Sequence, residues 1–172
     1  MSGIIGQVGS RSNIINNLSG FIKRASEVTL SGTGTTFTNI PAYVNTIIIS
    51  FYEVSLNGTA NIKVQIGDSG GIETSSYEAV GGYFGAATYN EYYTSSFPIT
   101  LQGAGREFSG NMILTNTGSN RWSESHSGYI DTNKIAGGGG AKTLSSILTQ
   151  LKILAGSTDN FDKGYVNILY TG

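Results

Sequence analysis

Polar and apolar residues alternate along most of this chain in short runs that end at turn signals. In the segment 61–67, for example, every second residue is Ile or Val. A period of two is typical of a β-strand with one face toward a core and the other toward water. Asn57-Gly58 and similar pairs tolerate positive φ and favour turns between the runs. We therefore predict nine strands, at 27–30, 44–54, 61–67, 72–80, 98–101, 108–116, 121–131, 148–154 and 165–170.

The segment 44–54 carries the strongest strand signal, because β-branched and aromatic residues fall on both of its faces. This pattern predicts a central strand that is covered on both sides. Helix signals are few, and the predicted strands follow one another at short intervals. Such spacing predicts an antiparallel sandwich or barrel and argues against a parallel α/β fold.

The first 26 residues have a different pattern, in which pairs of apolar residues are separated by Gly, Ser and Asn. This change of pattern predicts an N-terminal arm, at 1–26, in front of a β domain at 27–172. Within the arm, 12–23 has apolar residues at helical spacing, but its Asn and Gly residues fit an extended arm equally well. A short apolar arm before a compact domain indicates attachment to a larger assembly. The predicted anchoring residues are Ile4, Ile5, Ile14, Ile15, Leu18, Phe21 and Ile22.

Charge is scarce in this chain. Charged residues make up 12% of the sequence and the net charge is −1, whereas about 25% charged residues is usual. Nearly half of the residues are Gly, Ser, Thr or Asn. The sequence has no Lys/Arg cluster suited to nucleic acid and no basic amphipathic face suited to a membrane. We expect neither partner.

The absence of cysteine excludes disulfides, thiolate metal sites and a thiol nucleophile. The N-terminus lacks the basic region and apolar run of a signal peptide. No segment reaches the ~18 apolar residues of a membrane span. We therefore expect the chain to be made in the cytoplasm.

His126 is the single histidine and the first candidate for catalysis. A catalytic triad needs a nucleophile and a carboxylate near it, and Ser123, Glu124 and Ser125 are its neighbours in the sequence. Adjacent strand residues point to opposite faces, so this adjacency is not the geometry of a triad. We expect a surface histidine.

Paired carboxylates, which would indicate a glycosidase, are not evident either. The acidic residues lie scattered at turns and strand ends, where solvated carboxylates are the simpler interpretation. We predict no enzymatic activity, no catalytic residue and no cofactor. These scattered acids include Asp68, Glu73, Glu78 and Glu91.

The loop around Asp159, Asn160 and Asp162 is rich in oxygen ligands, and such loops can hold Ca²⁺. It lacks the repeated acidic positions of a dedicated site. Asp and Asn also stabilise turns on their own account. We predict no metal site.

The run Gly137–Gly140 has neither the strand-to-helix context nor the following Lys of a phosphate-binding loop. Four glycines instead predict a close approach of backbones, at a tight crossing or at a symmetry axis.

The segment 81–93 concentrates aromatic residues between two predicted strands, where a loop or an irregular hairpin is expected. Exposed aromatics among Gly, Asn and Ser suit sugar stacking or protein recognition. They would equally serve a subunit interface or cover an edge of the sandwich, and both interpretations stay open. The candidates for glycan or interface binding are Tyr83, Phe84, Tyr89, Tyr92, Tyr93 and Trp122.

The opening Met1–Gly6, followed by Gly9–Ser12, resembles the start of structural proteins from tailed phages, especially those of marine and cyanobacterial hosts. The resemblance covers most of the chain and implies a trimeric or otherwise symmetric β module bound to a virion. In such proteins a shared N-terminal segment precedes different outer domains, which implies an attachment arm. The further segments that resemble these phage proteins are 28–34, 37–41, 65–74 and 161–164.

Residues and resemblance together predict an all-β fold, an antiparallel β-sandwich of jelly-roll type with an N-terminal anchoring arm. We predict a non-enzymatic virion structural protein on the virion surface, such as a capsid decoration protein or a short head fibre. Its expected partners are other virion proteins, through the arm, and further copies of itself in a homotrimer. The alternative is a tail-fibre or receptor-binding tip that recognises host-surface glycans.

Overall fold

A computed structural model describes residues 22–85, 87–130 and 133–172. Every regular element among these residues is a β-strand, which confirms the predicted all-β class. The strands are β1 (Ile22–Arg24), β2 (Val28–Thr29), β3 (Gly34–Phe37), β4 (Thr46–Leu56), β5 (Ile62–Asp68), β6 (Gly71–Ile72), β7 (Tyr77–Phe84), β8 (Tyr89–Tyr93), β9 (Phe97–Ile99), β10 (Phe108–Gly118), β11 (Arg121–Ile130), β12 (Lys134–Thr143), β13 (Gln150–Ala155) and β14 (Phe161–Thr171).

These strands form two antiparallel sheets. The larger sheet has nine strands in the order β1-β14-β4-β10-β11-β12-β7-β8, with β2 also paired to β14. The smaller sheet has five strands in the order β3-β13-β5-β6, with β9 also paired to β5. The two sheets confirm the sandwich-like architecture that the short alternating strands predict.

The core lies between the sheets and is built from the inward residues of alternating strands. Two aromatic pairs contribute to it, Phe51 with Phe108 at 5.5 Å and Tyr77 with Phe97 at 5.0 Å between ring centroids, both edge to face. Burial of each large apolar side chain stabilises the fold by roughly 1.5–3 kcal/mol. The central buried residues include Ile47, Ile49, Ile62, Val64, Ile66, Met112, Leu114, Leu151 and Ile153.

Strand β4 is central, between β14 and β10, but the prediction that both of its faces are covered is wrong. Its burial alternates, with Ile47, Ile49 and Phe51 in the core while Ser50 and Tyr52 are exposed. The reason is that the smaller sheet covers only the inner face. On the outer face Ile48 is half-buried, beside its cross-strand neighbours Ile113 and Leu169.

The glycine run lies within β12, where the neighbouring strand β7 closely approaches two of the four glycines, Gly138 and Gly140. A Cβ at Gly138 would lie 2.4 Å from the carbonyl oxygen of Val80, on the neighbouring strand β7. A Cβ at Gly140 would lie 2.6 Å from the Cβ of Ala79 on the same strand. Both distances are shorter than real Cβ contacts, so these two positions require glycine.

The first described strand, β1, pairs with β14 at one edge of the nine-stranded sheet. The sheet therefore already includes residues 22–24, which the sequence assigns to the arm. In the described part of the chain no helix is long and apolar enough to cross a membrane. Ile22 opens β1, and the other predicted anchoring residues, Ile4, Ile5, Ile14, Ile15, Leu18 and Phe21, lie outside the described residues.

Candidate functional site

The hairpin of β7 and β8 positions the predicted aromatic residues at the other edge of the nine-stranded sheet. Tyr83 pairs with Tyr89, and Val80 pairs with Tyr92. Because strand residues alternate between faces, Tyr83, Tyr89 and Tyr93 share the core-side face. Where the sequence predicts a loop or an irregular hairpin, β7 and β8 instead pair in an unbroken register, which divides the aromatic residues between two faces.

On the core-side face the aromatic rings surround one carboxylate. Tyr83 and Tyr89 are stacked, with ring centroids 5.9 Å apart and an angle of 19° between their planes. The hydroxyls of Tyr89 and Tyr93 donate to Oε2 of Glu91, at 3.1 and 2.8 Å. Nδ2 of Asn61 in turn donates to the Tyr93 hydroxyl at 2.8 Å. We call Tyr83, Tyr89, Glu91 and Tyr93 the edge cluster.

Three cationic side chains from other parts of the chain approach the edge cluster. Lys134 Nζ lies 5.2 Å, and Arg106 Cζ 5.8 Å, from the ring centroid of Tyr83. Lys63 Nζ lies 5.8 Å from the ring centroid of Tyr93. Contacts of this kind are attractive because a cation meets the negative face of the ring. The edge cluster thus combines stacked rings and a carboxylate, and three cations lie beside it.

The hydroxyls of Tyr89 and Tyr93 stay protonated at neutral pH, because both of their pKa values are raised. Burial raises the pKa of Tyr93 to about 12; the hydrogen bond from Asn61 opposes this rise and the bond to Glu91 adds to it. Burial and the bond to Glu91 also raise the pKa of Tyr89. Both hydroxyls therefore act as donors, and Glu91 acts as their common acceptor.

The outward face of the hairpin carries Phe84 and Tyr92, which are 58% and 60% exposed. Val80, which pairs with Tyr92, is 44% exposed, whereas Phe84 lies four residues further along β7 and pairs with Ile135. These residues lie on the face opposite to the edge cluster. The sequence assigned both groups to one candidate site, whereas the alternation of β7 and β8 places them on opposite faces.

Trp122 is not part of any surface site, which corrects its selection as a binding candidate. Its side chain is 2% exposed and belongs to the core. The cause is the alternation of β11, which points Trp122, Glu124 and His126 inward while the intervening residues are exposed.

The prediction of a surface histidine is wrong as well. His126 Nδ1 lies 2.7 Å from Glu124 Oε1, and both side chains are 0% exposed. They share a face because they are two residues apart on one strand. Among the described residues, His126 Nε2 and Glu124 Oε2 have no hydrogen-bond partner. In this conformation neither group can touch a ligand from solution.

The scattered acids have separate environments. Glu78 and Glu91 are exposed, as the sequence predicts. Asp68 is buried and accepts a hydrogen bond from the Gly70 amide at 2.7 Å, so its expected solvation is wrong. Glu73 forms an ion pair with Lys142, which is buried.

The carboxylates of the candidate calcium loop bind protein groups. Asp159 Oδ2 accepts a hydrogen bond from the Ala60 amide at 2.8 Å. Asp162 Oδ1 accepts one from the Ser55 hydroxyl. Across residues 22–85, 87–130 and 133–172 no group of three or more His, Cys, Asp or Glu side chains could hold a metal ion.

The tyrosines of the edge cluster are recognisable in the sequence, whereas their polar partners are not. Asn61, Lys63, Arg106 and Lys134 lie far from the hairpin in the sequence and reach it through the sheet topology. No local pattern marks them. Only the pairing of β7 with β12 and the packing of the smaller sheet bring them to this edge.

Comparisons with protein-family models, with curated proteins and with solved structures found no match to this chain.

Proposed function

We propose that this protein is a non-enzymatic structural module of a phage virion, attached through its N-terminal segment and displaying its β-sandwich outward. The observation that carries the proposal is the order of the nine-stranded sheet. Strand β1, which follows residues 1–21, lies at one edge, and β8 with the edge cluster lies at the other. Seven strand-to-strand steps separate them, roughly 34 Å along the sheet at about 4.8 Å per step.

This separation suits a display protein because attachment at one edge leaves the opposite edge free. The jelly-roll topology and a homotrimer belong to the same proposal. Large apolar side chains on the outer face of the nine-stranded sheet favour association of copies: Ile113, Tyr129 and Ile135 are 41%, 56% and 58% exposed. Aromatic residues are enriched at protein interfaces, and the buried core of such an interface is more apolar than the rest of the surface.

Attachment through the N-terminal segment can be tested in the full-length chain by replacing apolar residues of that segment with polar ones. Replacing Ile14 and Ile15 by Ser removes roughly 1.5–3 kcal/mol of burial for each side chain that a virion protein covers. We expect the Ile14→Ser, Ile15→Ser variant to fold normally and to be nearly absent from purified particles. Quantitative immunoblotting of the particles against a capsid protein measures its incorporation.

The matched control is Ile147→Ser, which makes the same chemical change at a position that is 51% exposed between β12 and β13. This variant should join particles as the unmodified chain does. Normal incorporation of the arm variant would contradict the attachment role of residues 1–21.

A second candidate function, recognition of a host-surface glycan, is favoured by the stacked pair Tyr83–Tyr89 with its neighbouring carboxylate and amide. Sugars present both apolar faces and hydroxyls, which stacked rings and polar groups complement. We expect Tyr89→Ala to abolish polysaccharide binding, measured by calorimetric titration. Tyr165→Ala, a change at a ring 43% exposed on β14, should leave binding unchanged. Equal binding by both variants would remove the edge cluster from this role.

A further inference from the structure

The charges around the edge cluster are unbalanced. Lys63, Arg106 and Lys134 face one acidic residue of the cluster, Glu91. None of the three cations has a carboxylate within ion-pair distance in the part of the chain that the structure describes. The ion pairs found there join other residues: His126 with Glu124, Lys142 with Glu73, and Lys163 with Glu53 and Glu107.

Glu91 forms no ion pair with these cations among the described residues; its Oε2 instead accepts the hydroxyls of Tyr89 and Tyr93. A contrast is Lys163, which lies 2.8 and 2.9 Å from Glu107 and Glu53. The three cations beside the edge cluster therefore outnumber its one carboxylate, in a chain whose net charge is −1. Cations fixed beside aromatic rings attract an anion more strongly where water is partly excluded.

From this arrangement we infer that the edge cluster binds an acidic carbohydrate, a sugar that carries carboxylate or sulfate groups. The inference rests on the glycan-recognition candidate and names its ligand class. The Tyr83–Tyr89 pair offers a stacking surface for the sugar ring. Lys134 and Arg106 at one end, and Lys63 at the other, then pair with acidic groups of successive sugar units.

A nucleic acid would also meet cations and rings, but the rest of the chain fits it poorly. Single-stranded nucleic acid needs a basic groove that follows several phosphates. With 10 Lys and Arg residues against 11 Asp and Glu, this chain has no such excess of positive charge. A local positive site with stacked rings fits a short acidic glycan segment better.

The test uses the full-length chain and calorimetric titration with four probes: polygalacturonate, dextran sulfate, neutral dextran and oligothymidylate. The variant replaces Lys63 and Lys134 by Gln, which keeps both side chains long and polar while removing two charges. Arg106 stays unchanged because its Nη1 donates to the Leu101 carbonyl at 2.7 Å and supports the local fold.

The matched control replaces Lys23 and Lys152 by Gln, which removes the same charge on β1 and β13. We expect one of the two acidic polysaccharides to bind, and to bind more weakly as salt concentration rises. The Lys63→Gln, Lys134→Gln variant should bind it at least about tenfold more weakly, because a charge-assisted hydrogen bond is stronger than a neutral one. The control variant should match the unmodified chain. Binding of polygalacturonate would identify carboxylate as the recognised group, and binding of dextran sulfate would identify sulfate.

Each other outcome has a distinct meaning. If neutral dextran binds tightly, and the Lys63→Gln, Lys134→Gln variant binds it equally well, the inference of an acidic ligand is wrong but glycan recognition stands. No binding of any polysaccharide would overturn both. Oligothymidylate bound as tightly as the acidic sugars would mean that the cluster recognises negative charge alone, which overturns the carbohydrate assignment. The attachment role of residues 1–21 would be unaffected in all three cases.

Discussion

At the residue scale, the Glu124–His126 pair depends on a glycine of the next strand as much as on its own hydrogen bond. Gly138 lies opposite His126 in the β11–β12 register. A Cβ at Gly138 would lie 2.4 Å from Cε1 of the imidazole. The missing side chain therefore makes room for a ring that has no access to solvent. A buried polar pair in a poor fit is costly, since its desolvation is no longer offset by good geometry.

Gly138→Ala should therefore destabilise the fold. The new methyl group must displace the imidazole of His126 and the Val80 carbonyl oxygen, which also lies 2.4 Å from the Cβ position. Overpacking of this kind costs about 1–3 kcal/mol. Urea unfolding, followed by far-UV circular dichroism, should show the destabilisation as a lower midpoint with an unchanged slope.

Gly137→Ala is the matched control on the same strand, because the nearest atom to its Cβ position is the His126 carbonyl oxygen at 3.7 Å. We expect it to be neutral or slightly stabilising, since alanine reduces the freedom of the unfolded chain. Equal destabilisation by both changes would mean that strand β12 resists any side chain, and that the imidazole is not the cause.

Residue types alone could not reveal this pair. A lone histidine among serines is typical of an exposed strand face, and the sequence predicts one. The imidazole is buried because His126 lies on the same inward face of β11 as Trp122, and because Gly138 on the next strand leaves space for the ring. These relations depend on which strands pair, and no short sequence pattern carries that information.

At the element scale, strands with clear alternation were predictable and glycine-rich ones were not. The alternating apolar residues of β5 and β13 predicted both strands to within two residues at each end. Strand β12 was missed because its central glycines carry no apolar signal. The segment 72–80 was predicted as one strand, but Ser75 and Ser76 interrupt it and Ser76 has a φ of 59°. It therefore divides between β6 and β7.

Some features of the edge cluster can be predicted from the local sequence, whereas others depend on contacts between distant parts of the chain. The tyrosines of 81–93 were visible in the sequence, and so was the hairpin that carries them. Their faces follow from the register of Tyr83 with Tyr89, which only the pairing defines. The cations arrive from β5, β12 and the loop before β10, so the charge of the site could not be predicted from the hairpin.

At the scale of the whole molecule, the two edges of the nine-stranded sheet have different chemistry. The β1 edge follows the apolar N-terminal segment, and the β8 edge carries rings, cations and a carboxylate. The strands between them form a wide, sparsely charged support. Such a layout suits a protein that is attached at one edge and makes contacts at the other.

The most direct test of this account is cysteine accessibility on intact particles. The chain has no cysteine, so one introduced cysteine gives one labelling site. Tyr92→Cys places it at a position 60% exposed on β8, and Lys23→Cys at an exposed position on β1. Both variants are labelled with a maleimide dye, as free protein and after incorporation into particles.

The account predicts that Tyr92→Cys reacts on particles as fully as in the free protein, whereas Lys23→Cys becomes protected once the chain is attached. Protection of Tyr92→Cys with free reaction of Lys23→Cys would contradict the proposed attachment and display edges.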